Sequence, residues 1–157
     1  MNDKMSVLEK LAPELNPRYT ITDVGNSNLF ADSYRDIARY VPERKMWHIF
    51  TGKMWEPDIG NLQAIELCKR LADELVIYAL SLPDGRERDE YRRAVERWQI
   101  RHYREIILKD AMGIYPAKLS EFDRKPYLLT VKTARWIYIP ECSMSTIQPI
   151  CWRRFRA

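Results

Sequence analysis

A long amphipathic run near the middle of the chain limits the folds open to it more than any other feature. Starting near Asn61, it places Ile65, Cys68, Leu71, Ala72, Leu75, Ala79 and Leu82 on one stripe, and Pro83-Asp84-Gly85 stops it. A helix with an apolar stripe of this length has to bury it. The following region, from about Arg86 to Ala111, carries Tyr91, Ala94, Val95, Trp98 and His102 at helical spacing, with a break predicted near Gln99. Two antiparallel helices joined by a short turn are therefore predicted as the centre of the fold.

Shorter elements surround them. The first two dozen residues, interrupted by Pro13 and Pro17, read as irregular, with residues 1–15 as a lead-in. Asn26 or Ser27 can cap a helix in which Phe30, Tyr34 and Ile37 recur, ending at Tyr40-Val41-Pro42. Met46–Phe50, Thr51-Gly52-Lys53 and Met54-Trp55 then spell a β-hairpin, with Trp47 and Ile49 on one face and Trp55 meeting them across the turn. Residues 127–131 read as a strand, but nothing after Lys132 has a clear period-2 pattern to pair with it, so Trp136-Ile137-Tyr138-Ile139 could pair there only by accident. The predicted class is α+β and mostly helical: a short N-terminal β-hairpin packed with a helical bundle, and an incomplete C-terminal strand.

With 157 residues, 46% hydrophobic and 31% charged, the chain has room for one modest domain. No window reaches the roughly 18 consecutive apolar residues of a spanning helix, so no membrane partner is expected. The first residues lack a secretion signal, which makes a cytoplasmic, reducing setting the expectation. Cys68 reads as a buried small hydrophobe, and neither His48 nor His102 has a second ligand at metal-binding spacing. The five glycines, at 25, 52, 60, 85 and 113, do not form a Walker A phosphate loop, and no nucleophile elbow, His-Glu-x-x-His or Cys-x-x-Cys occurs. Asp73-Glu74 and Asp89-Glu90 read as solvated helix faces. No catalytic residue and no metal ligand is assigned.

One pattern does point to a partner. On a continuous helix Arg93, Arg97, Arg101 and Arg104 fall within an arc of roughly 80°, a comb that can meet successive phosphates of DNA. The competing reading is a solvated face, with Asp89 pairing with Arg93.

Several segments together resemble the domain that precedes the helicase in phage and plasmid primases, found also in poxvirus primase/nucleoside triphosphatases. They are Asn16-Pro17-Arg18-Tyr19, Thr22-Asp23-Val24-Gly25-Asn26, Leu29-Phe30-Ala31-Asp32, Arg39-Tyr40-Val41-Pro42, the hairpin residues Trp47, Gly52 and Trp55, the long helix, the Arg-rich region, and Phe122-Asp123 with Pro126-Tyr127-Leu128-Leu129. The resemblance spans residues 16–132. It implies a non-catalytic module of a DNA-replication protein, in which an upstream primase makes primers and a downstream superfamily-three helicase uses ATP and Mg. Neither cofactor is expected in this fragment. The implied partners are DNA and the helicase or primase subunits.

The resemblance stops at Lys132. In the family the strand that ends there continues into Asn-Gly-Thr-Leu-Asp-Leu, a hairpin with an Asn-Gly turn, whereas here Thr133-Ala134-Arg135-Trp136 follows. With the permitted codons AAA ACG GCA CGC TGG ATT TAT for residues 132–138, the frame that starts one base earlier reads Asn-Gly-Thr-Leu-Asp-Leu. One base lost from a run of A would make residues 133–157 an out-of-frame tail and end the chain early. The tail is compositionally distinct: of the net charge of +4, four Arg and one Glu in it contribute +3 (26 − 4 = 22 cations and 22 − 1 = 21 acids remain before it). The expected function is that of a fragment of a primase/helicase, contacting DNA or aiding helicase assembly. The alternatives are a protein-interaction module docking a replication subunit and a decayed prophage product without activity.

Overall fold

The computed structural model describes residues 3–122, 128–131 and 134–137. The long stripe folds as predicted. α3 (Leu62–Ser81) runs 20 residues and buries Ala64, Cys68, Leu71, Ala72, Leu75, Tyr78 and Ala79. α4 (Arg86–Glu96), a 3-10 turn (Arg97–Gln99) and α5 (Arg101–Ala111) return against it, bringing Tyr91, Val95, Trp98, Ile107 and Leu108 into the same core. The break falls at Ile100, whose extended backbone (ψ 127) separates the turn from α5. His102, predicted on the apolar face, is exposed, because the break re-aims α5. Cys68 is fully buried, and that burial pushes its thiol up to about 12.

The N-terminal half departs more from expectation. Residues 3–11 are not irregular: they form α1, whose Leu8 is 1% exposed in the main core. α2 (Asp23–Ser33) begins earlier than predicted because Thr22, rather than Asn26 or Ser27, caps it, its hydroxyl accepting from the Gly25 amide at 3.2 Å. The helix also stops earlier. After Tyr34 the chain turns and forms β1 (Ala38–Val41), which pairs antiparallel with β2 (Met46–Phe50) in the register Tyr40↔Trp47. β3 (Trp55–Pro57) completes a sheet of order β1-β2-β3, its turn closed by Thr51 N donating to Met54 O at 2.9 Å.

Alternation along β2 sends Trp47 and Ile49 into the core, where Trp47 meets Phe30 edge-on at 5.9 Å. Trp55 does not join them. It pairs with Phe50 across the turn and so shares the opposite face, packing at 5.4 Å from Phe50 and 5.2 Å from Phe122 of α6 (Leu119–Phe122). The outer edge of β1 is engaged by Ala117, whose amide donates to Tyr40 O at 2.8 Å.

Asp58 joins sheet to helix. It is 2% exposed, its amide donates to Trp47 O, and its carboxylate accepts from the Gln63 and Ala64 amides at 3.0 and 2.8 Å, the free donors of the first turn of α3. The C-terminal strand is a further correction. β4 (Leu128–Val131) is not left without a partner: it pairs antiparallel with β5 (Ala134–Ile137) in the register Val131↔Ala134. Strand pairing is made by backbone groups, so a segment carrying Trp136 and Ile137 can supply it without a period-2 pattern. The mostly helical α+β class holds.

Candidate nucleic-acid interface

The four predicted cations do not form one comb. Ile100 ends the first helical segment, so Arg93 and Arg97 belong to one rod and Arg101 and Arg104 to the next. Arg104 is taken up structurally: one of its nitrogens donates to Trp98 O at 2.8 Å and Gln99 O at 2.6 Å, covering carbonyls at the break. Arg101 is exposed but paired with Glu105 at 2.6 Å. Along α4, Arg86 pairs with Glu90, Arg92 with Glu96, and Arg88 with both Asp89 and, just before the helix, Asp84.

Asp89 pairs with Arg88 and not with Arg93, the pairing that the competing solvated-face reading offered. Arg93 and Arg97, one turn apart and exposed, have no ion-pair partner among the described residues. Two free guanidiniums remain of the predicted four. Gln99, beside them, donates to Asp73 at 2.9 Å and ties this end of the segment to α3.

A second polar network, centred on Asp32 of α2, has no local sequence signature. Asp32 accepts from Arg18 Nε at 2.7 Å and Nη2 at 3.4 Å, from Tyr19 at 2.9 Å and from Tyr115 at 2.7 Å. Burial pushes the Asp32 carboxyl up, but the hydrogen bonds from Arg18, Tyr115 and Tyr19 and the charge of Arg18 outweigh it, leaving its pKa below the usual value. Tyr19 is driven the other way, up to about 12, by its own burial and then by its bond to Asp32. The four residues are separated by up to 97 positions in the chain. Only the fold brings them together.

No group of three or more His, Cys, Asp or Glu side chains converges among the described residues. His48 is 3% exposed, stacks on Phe122 at 5.3 Å, and is held below its ordinary pKa by burial. No described helix is long and apolar enough to cross a membrane.

Residues 27–133, more than half of the chain, match the family described as D5 N terminal like. The chain belongs to this family. D5 N terminal like domains are the N-terminal domains of phage and plasmid primase-helicase proteins, the group that the motifs of residues 16–132 resemble. The match to the D5 N terminal like family opens inside α2 and closes at residue 133, one residue past Lys132. No curated protein and no solved structure matches the chain.

Proposed function

We propose that this D5 N terminal like domain is a non-catalytic part of a DNA-replication primase/helicase and contacts DNA beside the helicase through Arg93 and Arg97. One observation carries the reading: in a helix whose other arginines are paired with carboxylates, these two are exposed and without a partner among the described residues. Guanidiniums one turn apart suit adjacent backbone phosphates, and binding of that kind is lost as salt rises. For two contacts, raising salt from about 50 to about 200 mM weakens duplex binding roughly tenfold. In a fluorescence titration, Arg93→Glu combined with Arg97→Glu removes most of that affinity and flattens the salt dependence. Absent or salt-insensitive binding by the unaltered chain refutes the reading.

A second reading is favoured by α3, where Ile77 and Leu80, each 57% exposed, lie three residues apart on one face. There the domain docks a helicase or primase subunit, and co-elution with the helicase in the absence of DNA supports it.

Residues 133–157 are proposed to be translated out of frame. Two observations support it: the family match closes at residue 133, and codons permitted for residues 132–138 read Asn-Gly-Thr-Leu-Asp-Leu when shifted by one base. Sequencing the gene tests it. Adding one A at Lys132 should open a downstream frame containing a Gly-x-x-x-x-Gly-Lys-Ser/Thr loop; a frame that closes at once refutes the shift.

A further inference from the structure

Tyr115 is held by its hydroxyl, which donates to Asp32 at 2.7 Å and accepts from Arg18 Nη2 at 3.2 Å. Two more arginines approach its ring: the guanidinium carbon of Arg35 lies 4.9 Å from the ring centroid and that of Arg39 5.9 Å. Three guanidiniums thus gather at one tyrosine, around a single carboxylate. Asp32 cannot neutralise them all, since Arg18, Tyr19 and Tyr115 already occupy its oxygens. Arg35 and Arg39 have no ion-pair partner among the described residues.

Like charges converging on one ring repel unless an anion joins them. A guanidinium lying over an aromatic ring spends its π-face on the ring, while its N–H donors project from the edge in the fork that fits two oxygens of a phosphate. Arg35 is exposed and donates no hydrogen bond among the described residues; Arg39 spends only Nε, on Arg35 O at 2.7 Å. The backbone presents the pair deliberately: Arg35 follows α2, Arg39 is on β1 opposite His48, and the Arg39–Arg35 hydrogen bond fixes one against the other.

We propose that Arg35 and Arg39, set against Tyr115, form a phosphate-binding clamp that takes a backbone phosphate of DNA. This inference rests on the reading that the domain contacts DNA, but it uses residues separate from Arg93 and Arg97. Tyr115 and Asp32 act as positioning residues, and Arg18 supplies a third positive charge, its side chain being 45% exposed.

The test is a fluorescence-anisotropy titration of a labelled twenty-nucleotide oligo(dT), with tripolyphosphate as a separate free-phosphate probe followed by calorimetry. Arg35→Gln with Arg39→Gln is expected to weaken oligo(dT) binding at least tenfold and to reduce the slope of log affinity against log salt by about 0.7, the share of one single-strand phosphate contact. Arg35→Gln alone, at an exposed position, should give about half that slope change and keeps the test open if the double variant misfolds. Oligo(dT) binding that is unchanged in the folded variants, while Arg93→Glu with Arg97→Glu abolishes it, overturns the clamp and leaves the function proposed above standing. If the unaltered chain binds tripolyphosphate through Arg35 and Arg39 but no DNA, the phosphate site survives as one for free phosphate and the DNA assignment is overturned.

Discussion

Replacing Gly25 by alanine is expected to cost about 3 kcal/mol and to lower Tm by roughly 10 °C. The cause is a close approach between backbones. A Cβ at position 25 would collide with Thr20 O and stand 2.6 Å from Thr20 N, and neither atom belongs to a flexible side chain that could swing aside. To make room, residues 16–22 would have to lift from the first turn of α2. That segment carries the Thr22 cap, the Asn28 bond to Arg18 O and the Arg18 bonds to Asp32, so several contacts fail together. Gly85→Ala is the control: a Cβ there meets nothing within 4 Å and the backbone is extended, so its Tm should stay within about 2 °C of the unaltered chain. Thermal melts followed by circular dichroism compare the two. Equal, small shifts would show that residues 16–22 pack loosely on α2.

Asp58→Ala is expected to be comparably severe, at about 2–4 kcal/mol. Two backbone donors, the amides of Gln63 and Ala64, would lose a buried carboxylate acceptor at 3.0 and 2.8 Å, and Ala64 is itself fully buried, so water cannot easily replace it. Asn61, which directly precedes α3, makes no side-chain cap bond and cannot compensate. The measurement is urea unfolding: the midpoint should fall with the slope unchanged, and amide exchange at residues 63 and 64 should accelerate first. A loss below about 1 kcal/mol would mean that the first turn of α3 is satisfied by other groups.

These two residues also mark where the sequence was readable. The stripe of α3 and the return through α4 and α5 were legible because burial of one helix face writes a 3.6-residue period directly into the chain, and even the break before α5 left a mark at Gln99. β1 was not legible. Phe30, Tyr34 and Ile37 continue at helical spacing up to a strand of only four residues, too short to write a period of its own. Asp58 lacked a signal because it caps a helix from five and six positions away rather than from the adjacent cap position.

The candidate interface divides in the same way. Arg93 and Arg97 were visible because their spacing is local, whereas assigning Arg101 and Arg104 to the same face assumed a helix continuous through Ile100. The grouping of Arg18, Arg35 and Arg39 at Tyr115 depends on contacts between segments up to 97 residues apart, and no periodicity records such contacts. The family resemblance located the domain without locating its charges.

The packing of α1 bears on where this domain starts. Leu8 and Tyr19 lie in the same buried cluster as Leu71 and Trp98, and Tyr78 of α3 donates to Glu14 at 2.7 Å. The family match, by contrast, opens at Ser27. A chain cut at that boundary would keep every matched residue yet uncover one wall of its own core and discard the Thr22 cap. The stretch that matches the family and the stretch that packs into one core are thus not the same, and the second is the longer at the N-terminal side.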